Sequence, residues 1–372
     1  MSPCTSIVPN PFTCPLRTSE SSLTERGAEA MAKVSIIWTR RASGLEVGAI
    51  LGVGTAGGAG TWFPMTARSV SQYLLIAIAG FPPFTAIMRI AFVGTGVMGK
   101  SMAGHLLKAG HEVVIHTRTK AKAAELLALG AAWADTPAAA ALGADAAILH
   151  GRIPERRGRG LARFPVGRPS RLLLIDMTTS SPALARQLAA AATAQGCCPL
   201  DAPVSGGDRG AREATLTIMV GGAARDFERA GPLFAAMGKT ISLQGGPGAG
   251  QLCKLANQIA IASGMVAMAE ALAFARANGL DLESVLKALS GGGAASWALL
   301  NLAPRVLKGD FAPGFYVKHF VKDIGLALDV CREQRLTLPG LELAARLYAD
   351  TLAAGEGDLG TQALVRRYFE LA

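Results

Sequence analysis

The sequence predicts an α/β protein in which a doubly wound, mostly parallel sheet is followed by an all-α C-terminal domain. Three observations support this prediction. Short apolar runs alternate with helix-like segments from residue 88 to about 248, a glycine-rich turn follows the first of those runs, and no strand-like run occurs after Gly250. Repeated strand–helix–strand units with right-handed crossovers form a sheet of this kind.

The elements can be placed by apolar spacing and by the residues that end them. A helix at 120–130 ends at Gly130, and another begins with Ser181 as N-cap and Pro182 as its first residue. Strands are predicted at 88–93, 111–116, 131–134, 145–150, 172–178, 197–204, 216–222 and 240–245. In the C-terminal domain, helices are predicted at 251–279, 281–290, 296–308, 317–335, 339–353 and 360–370.

Two glycine patterns of the form G-x-G-x-x-G occur, and their contexts differ. Gly94, Gly96 and Gly99 follow the strand-like MRIAFV and precede a helix-like segment that Gly110 ends. A second strand, HEVVIH, completes a β-α-β unit, which is the setting that a dinucleotide-binding turn requires. Gly52, Gly54 and Gly57 lack this setting, because Pro64 lies where a helix would have to continue. We therefore predict a Rossmann-type nucleotide site at 94–99 and none at 52–57.

Composition excludes several classes of protein. Six cysteines are present without a C-x-x-C pair, which argues against a zinc site or a disulfide framework and fits a reducing cytoplasm. No secretory signal or membrane span is predicted. The net charge is +10, but residues 150–171 alone contribute seven arginines against one acid. Because the excess is confined to one stretch, nucleic-acid binding is not predicted.

Two segments do not fit the rest of the chain. Residues 1–87 have no sustained periodicity, and Met88 directly precedes the first good strand. We interpret 1–87 as an atypical N-terminal extension, poorly ordered or outside the natural reading frame; a genuine small domain is the alternative. Residues 150–171 combine arginine, glycine and proline in a mixture that favours neither a core nor a stable helix. Our hypothesis for this segment is a pair of compensating frameshifts, with a genuine basic loop as the alternative.

Four blocks together resemble the β-hydroxyacid dehydrogenase family, which includes 3-hydroxyisobutyrate dehydrogenase and the tartronate, glyoxylate and succinic semialdehyde reductases. They are FVGTGVMGKSMAGHLLKAG, DAPVSGGDRGA, GPGAGQLCKLANQ and FVKDIGLAL, in family order and at family spacing. The resemblance covers 88–149 and 172–372. It implies an NAD(P)-binding domain at 88–250 and a substrate and dimerisation domain at 251–372, and the long apolar helix at 251–279 indicates a homodimer or homotetramer.

NADP(H) is the expected cofactor, with NAD(H) as the alternative. In NAD-specific folds an acid about 20 residues past the glycines accepts the ribose hydroxyls. Here IHTRTK offers Arg118 and Thr119 instead, and an arginine can bind a 2′-phosphate. The predicted cofactor-binding residues are Gly94, Gly96, Val97, Met98, Gly99, Arg118, Thr119, Thr179 and Lys322. Thr179 and Lys322 are included because of the resemblance alone.

The catalytic expectation centres on Lys254. A single helical lysine is usually a surface residue, but this one stands in the pattern G-x-G-x-x-x-K-x-x-N, the catalytic lysine motif of the family that the chain resembles. Lys254 would give a proton to the developing alkoxide, and Asn257 would orient the substrate. Ser205, Gly206 and Gly207 would present a hydroxyl and backbone N–H groups to a substrate carboxylate. No metal is expected.

The predicted activity is that of an oxidoreductase which interconverts a short 3-hydroxy acid and its semialdehyde with NADP(H). Imine reduction on the same fold is disfavoured by Lys254, and 6-phosphogluconate dehydrogenase has a far longer helical domain. A catalytically impaired NADP-binding or scaffold protein is the alternative from another class, because 150–171 falls beside the expected nicotinamide site.

Overall fold

The computed structural model describes residues 33–40, 47–54, 61–65, 87–151 and 171–369. The chain divides into two compact units, Met1–Thr85 and Ala86–Ala372. Most of the Arg-rich stretch at 150–171 and most of the extension at 1–87 lie outside the described residues, so the interpretations of those two segments stay predictions.

The described part of the first unit is a three-stranded antiparallel sheet. Its strands are β1 (Lys33–Arg40), β2 (Val47–Gly54) and β3 (Thr61–Met65), with β2 in the centre. These strands were not predicted. The first glycine pattern enters β2 with Gly52 and Gly54, and the next described element is β3, in which Pro64 pairs with Ile50. An antiparallel hairpin is not the strand–turn–helix setting of a phosphate-binding turn.

The described part of the second unit contains a nine-stranded sheet. Its strands are β4 (Arg89–Val93), β5 (Glu112–His116), β6 (Ala132–Trp133), β7 (Ala146–Leu149), β8 (Leu173–Asp176), β9 (Cys198–Asp201), β10 (Val204–Ser205), β11 (Leu216–Gly222) and β12 (Gly238–Gly245). Strands β6, β5, β4, β7, β8 and β9 lie in that order and run parallel. The order reverses between β4 and β7, and this switch point is where doubly wound sheets bind ligands.

Helices cover both faces of the parallel sheet. They are α1 (Val97–Lys108), α2 (Ala124–Ala128), α3 (Pro137–Ala141), α4 (Pro182–Thr193), α5 (Gly207–Arg212) and α6 (Ala224–Ala235), with a 3₁₀ turn at Lys120–Ala123. Met102 and Leu106 of α1 are buried in the core on one face, and Ala140 of α3 and Ala192 of α4 are buried on the other. Strands buried on both sides need the continuous apolar runs that the sequence shows.

The C-terminal region is entirely helical where it is described. Its helices are α7 (Ala249–Ala277), α8 (Leu282–Ser290), α9 (Trp297–Asn301), α10 (Ala303–Leu307), α11 (Val317–Gln334), α12 (Pro339–Ala353) and α13 (Val365–Phe369), with 3₁₀ turns at Glu356–Asp358 and Thr361–Leu364. Their apolar faces share one core, in which Phe320 of α11 meets Tyr348 of α12 edge to face at 4.9 Å between ring centroids. The predicted Rossmann-type sheet followed by an all-α domain is therefore confirmed.

Several local predictions differ from the structure. The single strand predicted at 197–204 is two strands, β9 and β10, because the chain leaves the sheet at Ala202 and Pro203. Strand β11 then runs antiparallel to both of them. Helices α5 and α6 were not predicted. The helix predicted at 296–308 is interrupted at Leu302, and the one at 360–370 begins as a 3₁₀ turn.

Helix α7 joins the sheet to the helical region. It has 29 residues, and its first turn packs directly on β9 and β11. A Cβ atom on Gly250 would lie 2.4 Å from Met219 O, and one on Gly221 would lie 2.7 Å from Gly250 N. Only glycine permits this approach at both positions. By length and mean hydropathy alone α7 could cross a membrane, but half of its most apolar window is buried inside the fold, as in the core helix of a globular protein.

Candidate active site

The glycine turn after β4 has the shape that a phosphate-binding turn needs. Gly94 has a φ of +103°, and a Cβ atom there would lie 2.1 Å from His150 O. A Cβ atom on Gly99 would lie 2.1 Å from Gly94 O, so this glycine lets α1 pack against the turn. No atom lies within 4 Å of a Cβ placed on Gly96. The protein therefore needs glycine at the outer two positions, whereas the middle glycine leaves open space outside the helix.

The N-terminus of α1 faces this space without a side-chain cap. Gly96 is the N-cap residue and gives no side-chain cap, and among the described residues no side chain accepts from the N–H groups of Val97 or Met98. Such N–H groups bind anions, and the helix dipole adds to the attraction. Thr95 is buried, and its Oγ1 has no hydrogen-bond partner among the described residues. These residues fit the pyrophosphate of a dinucleotide.

The loop after β5 lies next to the glycine turn, because Gly94 N donates to His116 O at 2.9 Å. Arg118 and Thr119 follow in this loop, and both are exposed. Arg118 forms no hydrogen bond or ion pair with another described residue. The loop thus offers an unengaged guanidinium, and no carboxylate, where the ribose end of a dinucleotide would lie.

Lys254 is buried on α7, with only 6% of its surface exposed. Within the described ranges no hydrogen bond or ion pair reaches its Nζ. Burial lowers the pKa of Lys254 from 10.5 to about 8, the Asp323 carboxylate acts in the opposite direction, and the Lys322 ammonium adds to the lowering. An amine with a pKa close to the working pH can both give and take a proton.

A polar chain connects α7 to α11 and to the loop after β8. Asn257 Nδ2 donates to Gln258 Oε1 at 2.9 Å, and Gln258 Nε2 donates to Asp323 Oδ2 at 2.6 Å. Lys322 Nζ lies 2.7 Å from Asp323 Oδ1 and donates to Thr179 O at 2.7 Å. The structure therefore places the predicted residues Asn257, Lys322 and Thr179 in one network, with Asp323 as the charged neighbour of Lys254.

The loop after β8 also reaches the glycine turn. Gly151 lies beside Gly94 and donates its N–H to Thr178 Oγ1 at 3.2 Å, and Thr178 N donates to Asp176 Oδ1 at 2.9 Å. Burial raises the pKa of Asp176 to about 6, although the bonds from Thr178 favour its charged form. The two halves of the expected cofactor site, the turn at 94–99 and Thr179, are thus held at one edge of the sheet.

The predicted carboxylate-binding loop lies against the helical region. Ser205 ends β10 and pairs with Thr217 of β11, and Gly206 follows with a φ of +125° as the N-cap of α5. Gly207 has a φ of +62°, and a Cβ atom on it would lie 3.1 Å from Gly314 O. Within the described ranges no hydrogen bond joins this loop to Lys254. The loop and the lysine approach the site from different elements, β10 and α7.

Two further polar residues of the site, Asp201 and Gln251, received no role in the sequence analysis. Both are buried, at 6% and 0% exposure, and both make hydrogen bonds between elements that are far apart in sequence. They stand inside the two motif blocks that carry Ser205 and Lys254. Their buried partners lie 47 to 73 residues away, so no local spacing indicates what they contact.

Two family models match the second unit over most of its length. Residues 89–246 match the NAD binding domain of 6-phosphogluconate dehydrogenase. Residues 248–368 match the family described as the NAD-binding domain of NADP-dependent 3-hydroxyisobutyrate dehydrogenase. The boundary between the two matches falls at the start of α7.

Individual relatives match the same region. An uncharacterized oxidoreductase of Bacillus subtilis, YkwC, is 49% identical over 280 residues, which are 74% of this chain and 97% of that protein. A probable mitochondrial 3-hydroxyisobutyrate dehydrogenase-like protein of Arabidopsis thaliana is 47% identical over 281 residues, which are 74% of this chain and 84% of the relative. The structure of Mycobacterium tuberculosis 3-hydroxyisobutyrate dehydrogenase with L-serine superposes with a TM-score of 0.69 at 34% identity, covering 76% of this chain and 99% of that one.

Proposed function

This chain belongs to the β-hydroxyacid dehydrogenase family and is an NAD(P)-dependent oxidoreductase acting on CH–OH groups, and we propose that it interconverts a short 3-hydroxy acid and its semialdehyde with NADP(H). The observation that carries the proposal is the buried amine of Lys254. It lies on the helix that packs against the loop of Thr179, and its pKa of about 8 suits a group that exchanges a proton.

The dinucleotide, when bound, supplies or accepts the hydride at the substrate carbon. In reduction, Lys254 Nζ gives a proton to the aldehyde oxygen as that oxygen becomes a hydroxyl, and in oxidation it takes the hydroxyl proton back. The positive ammonium also stabilises negative charge that develops on the oxygen. Asn257 Nδ2 has a second N–H beyond its bond to Gln258, and no described residue accepts from it, so it can orient the substrate oxygen.

The cofactor is held, in this proposal, by the turn at 94–99, the Arg118–Thr119 loop, Thr179 and Lys322. Arg118 is the basis for preferring NADP over NAD, because a guanidinium pairs with a 2′-phosphate and the loop has no carboxylate to accept ribose hydroxyls. One charge-assisted hydrogen bond of this kind is worth about 1.5–3 kcal/mol, or roughly 10- to 150-fold in affinity.

The loop at 205–207 supports the proposed substrate class. The Ser205 hydroxyl and the backbone N–H groups of Gly206 and Gly207 can bind a carboxylate, which leaves the oxidisable carbon of a short acid to reach Lys254. The solved relative that contains L-serine supports this class, since serine is itself a 3-hydroxy acid.

The proposed assembly is a homodimer or homotetramer that packs through α7. Leu252 and Phe274 are 44% and 69% exposed near the two ends of this helix, and Ala256, Ala260 and Ala267 are exposed between them. A second copy of the chain would cover these apolar residues, among which Ser263 and Glu270 are the exposed polar ones. Light scattering should give a mass of two or four chains, and Phe274→Glu should shift the protein toward the monomer. The proposed compartment is the cytoplasm.

The first experiment is a pair of titrations of the purified protein with NADPH and NADH, followed by a substrate screen. We expect tighter binding of NADPH, and in Arg118→Ala we expect NADPH affinity to fall by roughly 10- to 150-fold while NADH affinity changes little. Reduction of glyoxylate, succinic semialdehyde and methylmalonate semialdehyde is then followed by NADPH consumption in the wild type and in Lys254→Met. Binding of neither dinucleotide, or turnover in Lys254→Met at close to the wild-type rate, would contradict the proposal.

A further inference from the structure

Asp201 is the cap of α7, although it lies in a different part of the fold. The N-cap residue of this helix, Gly248, has no side chain that could serve. Asp201, the last residue of β9, accepts instead from Gly248 N at 2.7 Å through Oδ1 and from Gln251 N at 2.9 Å through Oδ2. Two of the N–H groups that a helix start leaves unpaired are thereby satisfied by a carboxylate of the sheet.

Gln251 makes the return connection from α7 to the sheet. Its side chain is fully buried; Oε1 accepts from Ser180 N at 3.0 Å, and Nε2 donates to Thr178 O at 2.8 Å. These two bonds bracket Thr179, the residue whose carbonyl oxygen receives Lys322. The amide therefore fixes the backbone on both sides of the residue expected beside the nicotinamide.

Lys254 is the next residue on the same face of α7. It follows Gln251 by three positions and precedes Gln258 by four, and all three side chains are buried. One helical turn thus carries both the contact to the loop after β8 and the reacting amine. The rotation and the axial position of this turn are set by the bonds of Asp201 and Gln251 and by the close contacts at Gly221 and Gly250.

We infer that Asp201 and Gln251 are positioning residues, which together hold Lys254 in register with the cofactor loop at Thr178–Ser180. The inference rests on the proposed role of Lys254 as proton donor. Asp201 has a second consequence, because its carboxylate offsets the positive end of the helix dipole. Burial is the leading cause of the low pKa of Lys254.

The direct test uses Gln251→Met, which keeps the length and the buried volume of the side chain and removes both hydrogen bonds. We expect kcat to fall by roughly 10- to 100-fold, since a displacement of about 1 Å at a reacting group costs this much. The deuterium isotope effect with labelled NADPH should rise, because hydride and proton transfer become slower than product release. The melting temperature should fall moderately, because Ser180 N and Thr178 O lose their buried partners at about 1–3 kcal/mol each. NADPH affinity should stay close to the wild type. Gln244→Met, at an exposed glutamine of β12, is the matched control.

A second readout needs no turnover. An amine-directed reagent should modify Lys254 faster in Gln251→Met than in the wild type, because loss of the two hydrogen bonds lets the first turn of α7 open and exposes Nζ to solvent. The exposed Lys287 serves as internal reference. Unchanged kcat together with unchanged labelling in a folded Gln251→Met protein overturns the inference. A fall in kcat that is fully accounted for by lost NADPH binding, or by unfolding at the assay temperature, does the same, since that pattern indicates a general structural role.

Site-resolved hydrogen exchange on the wild-type chain decides the case in which the variant fails to fold. The first N–H groups of a helix ordinarily exchange fast, because they lack partners. We expect the amides of Gly248, Gln251 and Ser180 to exchange as slowly as those of the sheet core. Exchange as fast as at the exposed Gly293 overturns the inference. A wild type without any turnover would contradict the proposed function. The labelling and exchange results do not depend on turnover, so they would still test the roles of Asp201 and Gln251.

Discussion

Replacing Lys254 with methionine should strongly reduce activity and at the same time stabilise the fold. The pKa of this lysine is lowered from 10.5 to about 8 by burial. A change of one in pKa corresponds to about 1.4 kcal/mol, so the folded state holds the charged amine at a cost of about 3 kcal/mol. Methionine fills the same space without a charge, and we expect the free energy of unfolding to rise by about this amount at pH 7.

The pH dependence of this gain provides the sharper check. Below about pH 8 both the folded and the unfolded wild type carry the proton on Lys254, so the full cost is present. Between about 8 and 10.5 the folded state releases the proton while the unfolded state keeps it, and the wild type recovers stability relative to Lys254→Met. Above that range the difference disappears.

Urea denaturation of both proteins across this pH range is the assay, with Lys287→Met on the exposed face of α8 as the control. The control should change the free energy of unfolding by no more than about 0.5 kcal/mol. A Lys254→Met protein that is less stable than the wild type at pH 7, or a gain that is the same at pH 7 and pH 10, would refute the reasoning. Loss of the proton donor should also reduce kcat by roughly 10²- to 10⁴-fold.

Three further results are expected. For aldehyde reduction, kcat/KM should fall as the pH rises through about 8, because the protonated form of Lys254 is the donor, whereas alcohol oxidation should rise over the same interval; a flat profile in both directions would contradict this. Asp323→Asn should move both profiles to lower pH, since the carboxylate favours the charged lysine, and an unchanged midpoint would show that the two groups are not coupled. Gly94→Ala should destabilise the fold, because the added Cβ meets His150 O, whereas Gly96→Ala should leave the melting temperature unchanged and weaken NADPH binding; equal melting temperatures for the two variants would argue against the geometry of the turn.

The parts of the fold that follow from local pattern were predictable. The apolar runs of β4, β7 and β8 and the capping pair Ser181 and Pro182 appear in the structure, with Ser181 Oγ accepting from Leu184 N at 3.1 Å. The strand–turn–helix context also separated the two glycine patterns. Each of these features depends on residues that are neighbours in the chain, which is the information that spacing carries.

The parts that depend on distant contacts were not predictable in the same way. Helix α6 was not predicted, because Pro232 inside it argues against a helix. The helix is stabilised by the packing of Leu233 and Phe234 in the core, which the local sequence does not show. Strand β11 runs antiparallel to β9 and β10 because the chain leaves the sheet at Ala202 and Pro203. In the sequence these two residues look like part of one continuous apolar run, so the break was not predicted. Lys254 could be proposed from its motif, but its burial and the bonds of Asp201 and Gln251 arise only when α7 packs on the sheet.

The position of α7 bears on how new substrate preferences could be engineered into this scaffold. Its first turn packs against the sheet and is hydrogen-bonded to it. The remainder of the helix packs in the helical core, where Met265 and Leu272 are buried. A chimera that exchanges the helical half should therefore be joined within α7 beyond Gln258, so that the donor contributes its own cleft walls and the recipient keeps its lysine and cofactor loop. A junction at residue 247, where the two family models meet, would replace the helix start whose N–H groups at Gly248 and Gln251 donate to Asp201.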